Sequence, residues 1–318
     1  MRKFIAQANE YGRKKIPFFF LVDFEMKKPY ICKLSDMKGE NIYWHIDSGF
    51  SFYKQNGKKN MRIRPVSMQK YQQAYQNVLQ NINLGNTYLL NLTFSSELQI
   101  RLSLQEIYQQ SQARYRLLFK DQFTLFSPEC FVKTKDNYIY SYPMKGTIDA
   151  ALPRAKQQIL NNKKELWEHN TIVDLIRNDL SIVAKNIEII RYRFISEIHT
   201  NQKDLLQVSS EIRGELSENW HGRIGNILAD LLPAGSISGA PKQKTLEIIS
   251  EVEADERGYF TGVFGIFDGK NLDSAVNIRF IEKKDDSLIF RSGGGITSHS
   301  KMHEEYQELI DKIYVPFI

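Results

Sequence analysis

Lys145 stands in Tyr142-Pro143-Met144-Lys145-Gly146-Thr147. The aromatic run at 138–142 predicts a strand that Pro143 ends, and Gly146 permits a turn that brings backbone close to a ligand. A neighbouring wall can desolvate a lysine at such a strand end, and the neutral amine that results is a nucleophile. Taken singly, a solvated turn is the commoner fate of a lysine. Glu129 sits among aromatics in Ser127-Pro128-Glu129-Cys130-Phe131, where a carboxyl keeps its proton and can serve as a general acid. An isolated turn glutamate is otherwise exposed. Glu168 recurs with Glu165, Ile172, Leu175 and Asp179 at helical spacing. Its face is either a solvated rim beside a core stripe or a cavity wall offering a ligand to a hard cation.

Four further stretches carry chemistry. The loop 233–242, Pro-Ala-Gly-Ser-Ile-Ser-Gly-Ala-Pro-Lys, is rich in small residues and feeds a helix. Such a junction is either an anion site or a simple capped loop. Its glycine spacing matches neither a Walker loop nor a dinucleotide fingerprint. Arg279 falls inside an apolar strand, so it needs an anionic partner, for which a carboxylate bound in bidentate fashion is the natural choice. Gly293-Gly294-Gly295 exposes successive N–H groups. Glu305 and Glu308 share one face of the last helix, with Lys312 a turn beyond Glu308, which is also the pattern of a surface ion pair. The six histidines show no zinc spacing.

Regular elements must hold these residues. Residues 1–64 read as β structure with polar turns, with a buried strand at 18–22 and punctuation at Gly39, Gly49 and Gly57. Ser67 opens a helix with apolar positions from Met68 to Ile82, closed by Gly85. Strands are predicted at 87–94, 123–126, 131–133, 187–196 and 208–216, and helices at 102–114, 221–232 and 302–314. The helix over 153–180 breaks near Asn161-Asn162 and closes at Arg177-Asn178-Asp179. A hairpin joins 258–267 to 275–282 through Asp268-Gly269. The 318 residues are 42% hydrophobic, enough for one large domain or two packed lobes, and carry a net charge of +6. The basic residues occur as short pairs rather than a stripe, which argues against nucleic acid and suits a small anionic substrate. Two cysteines without metal spacing fit a reduced, cytoplasmic setting, and the apolar run at 16–22 is too short for a membrane span.

Seven motifs then occur in order: Ser-Pro-Glu at 127–129, Pro-Met-Lys-Gly-Thr at 143–147, and Glu-His at 168–169 with Val-Asp-Leu-Ile-Arg-Asn-Asp at 173–179. Gly-Ser-Ile-Ser-Gly-Ala-Pro-Lys at 235–242, Asn-Ile-Arg at 277–279, Gly-Gly-Gly-Ile at 293–296 and Glu-Tyr-Gln-Glu at 305–308 follow. From about residue 64 onward the chain resembles the chorismate-binding enzymes. The resemblance implies an α+β fold, two large antiparallel sheets packed face to face with helices outside. It also implies a short β-rich segment over 1–64 packed onto a catalytic domain over 65–318. Lysine at 145 is similar to the aminodeoxychorismate synthases, where anthranilate synthases have alanine. Isochorismate-type enzymes carry a base lysine where this chain has Leu89.

The activity so implied is that of component I, making 4-amino-4-deoxychorismate for p-aminobenzoate and folate. Lys145 would attack chorismate at C2 while Glu129 protonates the departing C4 hydroxyl. Mg2+ would rest on Glu168, Glu305 and Glu308. Thr147, Ser236, Gly239, Arg279, Gly294, Gly295 and Lys312 would contact substrate. Ammonia would come from a separate glutaminase subunit, since the chain has no Cys-His glutaminase pattern. Asn86, Leu89, Gln207 and Phe260 depart from the family pattern and bear on substrate orientation. Anthranilate synthase, isochorismate synthase and a non-catalytic chorismate-binding protein are the competing readings.

Overall fold

The computed structural model describes residues 1–46, 61–199 and 204–317. The punctuating Gly49 and Gly57 lie outside the described residues. The helices are α1 (Arg2–Arg13), α2 (Met68–Asn83), α3 (Leu104–Gln109), α4 (Ala155–Asn161), α5 (Lys163–Val183), α6 (Ile224–Leu231), the single turn α7 (Gly235–Ser238), α8 (Lys242–Val252) and α9 (Met302–Asp311). The first strands are β1 (Phe18–Val22), β2 (Tyr30–Lys33), β3 (Ile42–Ile46), β4 (Arg62–Arg64), β5 (Leu89–Gln99), β6 (Tyr115–Phe119), β7 (Phe123–Ser127), β8 (Cys130–Lys135) and β9 (Tyr138–Ser141). Then come β10 (Met144–Asp149), β11 (Lys185–His199), β12 (Asp204–Glu215), β13 (Gly239–Ala240), β14 (Val263–Phe267), β15 (Leu272–Val276), β16 (Phe280–Lys284) and β17 (Ser287–Ile296).

Among the described residues the strands form two antiparallel sheets. One has nine strands in the order β10-β12-β9-β8-β15-β14-β1-β2, with β11 also paired to β12. The other has eight, β13-β5-β17-β16-β7-β6-β3, with β4 beside β5. The run Phe18-Phe19-Phe20-Leu21-Val22 explains how the layers meet. Alternate side chains of a strand point to opposite faces. Phe18, Phe20 and Val22 therefore pack toward α1, α5 and α6. Phe19 and Leu21 join Leu117, Phe119, Phe123, Phe264 and Phe280 between the sheets. A strand buried on both faces reads as a continuous apolar run, as this one does. No helix among the described residues is long and apolar enough to cross a membrane.

Three local readings are corrected. The chain opens with helix α1 rather than strand. Phe4, Ala8 and Gly12 recur every fourth residue on its buried face. A Cβ on Gly12 would lie 1.9 Å from the His221 carbonyl oxygen, so the helix approaches its neighbour at a distance only glycine allows. The strand predicted over 275–282 is two strands. β15 belongs to the nine-stranded sheet and β16 to the other, and Asn277-Ile278-Arg279 carries the chain across. Helix α5 continues past 177–179 to Val183. Asp179 does not close it: its carboxylate accepts the Gly235 N–H at 2.9 Å and pairs with Lys242 at 3.0 Å. The α2 helix starts as its N-cap predicts, with Ser67 Oγ accepting the Lys70 N–H at 3.3 Å.

Candidate active site

Lys145 enters a cleft of about 590 Å³ whose walls come from both sheets, α5, α7 and α9. Pro143 does separate β9 from β10, but Gly146 makes a bulge rather than a turn. Met144 pairs with Ser209 and Thr147 with Gln207, so β10 carries one extra residue. Gly146 takes φ +82° there. A bulge re-aims the side chain beside it. Lys145 Nζ comes to 3.5 Å from Glu168 Oε2, with the two side chains 27% and 23% exposed.

The register of β10 is fixed from behind by His169, fully buried on α5. His169 Nε2 meets Ser210 Oγ at 2.6 Å, and the Ser210 N–H donates to the Pro143 carbonyl at 3.0 Å. Ser210 Oγ also accepts the Arg193 N–H at 3.0 Å. The hydroxyl, with one donor and two acceptor sites, thus joins α5 to both β11 and β12. Burial, then the charges of Arg193 and Lys145, push His169 down to about 4.

Glu129 also lines the cleft, between β7 and β8. Its N–H donates to Ser127 Oγ at 3.1 Å, and Ser236 Oγ donates to Glu129 Oε1 at 3.2 Å. Burial raises the Glu129 carboxyl above the usual carboxylate range, against the lowering effects of Ser236, Lys145, Lys312 and Arg279. Ser236 lies on α7, whose turn is held at Gly235 by Asp179 and by Asn91, which donates to the Ser236 carbonyl at 3.0 Å. The free N–H expected of this loop at Gly235 is thus taken by a carboxylate of the protein itself.

Arg279 is not inside a strand. It ends the crossing between sheets at φ +54°, and Thr261, also on the cleft wall, takes φ +58°. Both conformations are strained for residues other than glycine. The Arg279 guanidinium lies over the Tyr314 ring at 4.8 Å, and its Nε is buried without a hydrogen-bond partner. Among the described residues no carboxylate pairs with this partly buried arginine.

A second group of charges closes the floor. Glu305, 4% exposed on α9, meets Lys164 at 3.6 Å; Lys164 also reaches Glu168 at 3.9 Å and Glu304 at 4.0 Å. Lys312 pairs with Glu308 at 2.6 Å and donates to the Gly293 carbonyl at 2.9 Å. Burial raises Glu305, and the neighbouring charge of Glu308 adds to it. Burial would also raise Glu308, but Lys312 and the nearby lysines outweigh it and hold the group low. Lys312 is lowered by burial despite Glu308. Hard oxygen donors alone suit Mg2+, so Glu168, Glu305 and Glu308 fit such an ion in kind. Among the described residues no three metal-ligating side chains stand close enough to hold one, and Lys164 sits among these carboxylates.

Thr147, Ser236, Arg279, Lys312 and Gln207 line the cleft, as does Phe260. Three glycines stand differently. Gly239 pairs with Leu90 in β13, where a Cβ would lie 1.9 Å from the Leu89 carbonyl oxygen, so it packs beneath the cleft rather than lining it. Gly294 and Gly295 pair with Leu92 and Asn91 in the β17–β5 ladder rather than forming an open nest. A Cβ at Gly294 would face Lys312, Glu305 and Glu308; one at Gly295 would meet Leu89 at 3.1 Å. Leu89 itself is core, and Asn86 bonds back to Asn81.

Sequence reasoning missed Lys164, Ser292 and Arg257. Lys164 was visible as the i−4 neighbour of Glu168. Ser292 lines the cleft with a buried, unpartnered Oγ, a property that no local pattern encodes. Arg257 pairs with Glu253 at helical spacing, but its complete burial was not legible.

The model of the family described as chorismate binding enzyme matches residues 9–317. A relative described as an uncharacterized PabA-like protein, from Haemophilus influenzae, is 51% identical over 99% of this chain and 97% of its own length. Anthranilate synthase component 1 of Cereibacter sphaeroides is 36% identical over 58% of this chain, a stretch that is 38% of that protein. Among solved structures, the menaquinone-specific isochorismate synthase of Escherichia coli superposes with a TM-score of 0.72 at 15% identity, covering 98% of this chain and 80% of that one. This last likeness bears on the fold.

Proposed function

Because the chain belongs to the chorismate-binding enzymes, we propose that it is the chorismate-aminating component of an aminodeoxychorismate synthase. It would convert chorismate and ammonia to 4-amino-4-deoxychorismate in the cytoplasm, on the route to p-aminobenzoate and folate. The observation that carries this reading is the placement of Lys145 on a glycine bulge, in the same cleft as Glu129, a carboxyl that burial raises above the usual carboxylate range. An amine to attack and a carboxyl to donate a proton are what a two-step substitution requires.

In the first step the Lys145 nitrogen bonds to C2, both ring double bonds shift along C1, C6, C5 and C4, and the C4 hydroxyl leaves as water with the Glu129 proton. In the second, ammonia bonds to C4, both double bonds shift back, and the C2–N bond to Lys145 breaks, with Glu129 regaining its proton from the new C4 ammonium. The covalent adduct divides one hard displacement into two easier ones. Arg279 and Lys312 hold the substrate carboxylates, with Thr147 and Ser236 at the ring. Glu168, Glu305 and Glu308 would hold Mg2+, which would supply positive charge toward a substrate carboxylate; Lys164 lies beside Glu168 and Glu305. Ammonia would be delivered by a glutaminase partner.

Anthranilate synthesis is the second reading, favoured by the match to the Cereibacter sphaeroides enzyme. Incubation with chorismate, Mg2+ and ammonium, followed by chromatography and mass analysis, separates the two. The expected product is 4-amino-4-deoxychorismate, and anthranilate as the sole product would overturn the assignment.

A further inference from the structure

Arg279 is a long side chain on a strained backbone, with no carboxylate among the described residues to hold it. What touches its guanidinium is the ring of Tyr314, 4.8 Å from the guanidinium carbon. The segment after α9 presents that ring. Ile313 is 4% exposed and Val315 9%, and both enter the core cluster around Leu104, Ile107 and Phe126. In an extended segment the residue between two inward side chains points outward, and Tyr314 is 44% exposed. The segment is anchored further on: the Gln112 N–H donates to the Pro316 carbonyl at 2.9 Å, and Phe317 bridges to Ser111. The tail thus carries Tyr314 to a fixed place beneath Arg279. A guanidinium held over a ring is anchored without using up its N–H donors, which remain for a planar carboxylate.

We propose that Tyr314 is a positioning residue, which acts through Arg279 by holding the guanidinium in the attitude that meets a substrate carboxylate. This rests on the reading of the cleft as a chorismate site. The ring face does the work, so the hydroxyl is dispensable.

The test combines Tyr314→Phe, Tyr314→Leu, Arg279→Met and the double variant Tyr314→Leu/Arg279→Met. For each, calorimetry gives the Kd of chorismate with Mg2+ present and ammonia absent, and steady-state kinetics give KM and kcat. Tyr314→Leu is expected to raise Kd and KM roughly three- to thirty-fold with kcat within about twofold, while Tyr314→Phe stays within about twofold of the native chain throughout. On the Arg279→Met background Tyr314→Leu should add less than about twofold. A Phe variant as impaired as Leu, or a full Leu penalty without Arg279, overturns the proposal. Binding that depends on Arg279 but not on Tyr314 also overturns it while leaving the chorismate site standing. A native chain that binds no chorismate overturns the site reading and this inference together. Tyr314→Gln serves in place of Leu should that variant fold poorly, with the same expectations.

Discussion

Two cation–carboxylate pairs serve the cleft, one behind its wall and one facing into it, and they differ in burial, partners and spacing. Arg257 and Glu253 are 1% and 6% exposed and 2.7 Å apart. Arg257 also donates to the carbonyls of Ile237 at 3.0 Å and Asn91 at 2.6 Å, and Glu253 accepts the Thr93 N–H at 2.9 Å. This pair has its hydrogen-bonding capacity filled by protein, and it ties α7 and β5 together behind Ser236. Lys145 and Glu168 are 3.5 Å apart, about a quarter exposed, and face open volume. A buried pair with every partner supplied acts as a strut. A long, half-exposed pair binds its members weakly and leaves the amine free to meet a ligand.

Lys145→Ala should break the second pair with the larger functional loss: kcat with ammonium supplied falls on the order of 10³-fold, while thermal stability is unchanged. Undiminished turnover, with no covalent lysine adduct detectable by mass in the native chain, would sink the nucleophile. Arg257→Met should do the reverse. It leaves Glu253 buried and uncompensated, at a cost of about 3–5 kcal/mol, measured by denaturant unfolding. A variant that keeps its stability but loses turnover would mean that the two pairs do not divide the labour.

The same contrast extends to pH. His169 is held below its ordinary value by burial, so the folded state prefers the neutral ring. That stabilisation is complete above about 6.5 and is lost as pH falls toward about 4. A shift of this size corresponds to about 3 kcal/mol for a fully buried ring. His169→Gln keeps an acceptor for Ser210 and cannot be protonated, so its melting temperature should fall less steeply over that window. Parallel acid limbs for the two proteins would show that His169 does not titrate in the fold. Glu129 runs the other way. Its carboxyl is raised, so the folded state gains most below the ordinary carboxylate range and loses that gain as pH rises through the raised value. Glu129→Gln should remove that loss on rising pH.

What was legible in the sequence followed from periodicity and from residues whose local chemistry is strong. The apolar run from Phe18 to Val22, the Ser67 cap, the break at Asn162 and the stop at Pro143 each express one short-range rule. The motif residues were legible as types: Glu129, Lys145, Ser236, Arg279 and Lys312 all reach one cleft. The misses share a cause. Helix α1 was hidden because close packing put Ala8 and Gly12 where a stripe of large apolar residues would have announced a helix. The split of β15 from β16 was hidden because it depends on a left-handed backbone at Arg279, a residue type that does not advertise one. The strand pairing of the glycines at 239, 294 and 295 with β5 was likewise not legible. In each case tertiary approach, not local preference, decided the outcome.

Gly146→Ala is the smallest change and the finest probe of the contrast. Alanine at φ +82° pays about 1–2 kcal/mol in backbone strain. The new Cβ would come 3.1 Å from Glu165 Oε2, the far end of a flexible side chain that can move aside. Stability should therefore drop modestly and the fold survive. If the bulge is what aims Lys145 across the cleft, the variant relieves its strain by shifting β10, and kcat falls by more than about tenfold while the Kd of chorismate changes little. Were kcat and stability to fall only in proportion, the lysine would be held by its pairing to Glu168, and the looseness assigned to that pair would be wrong.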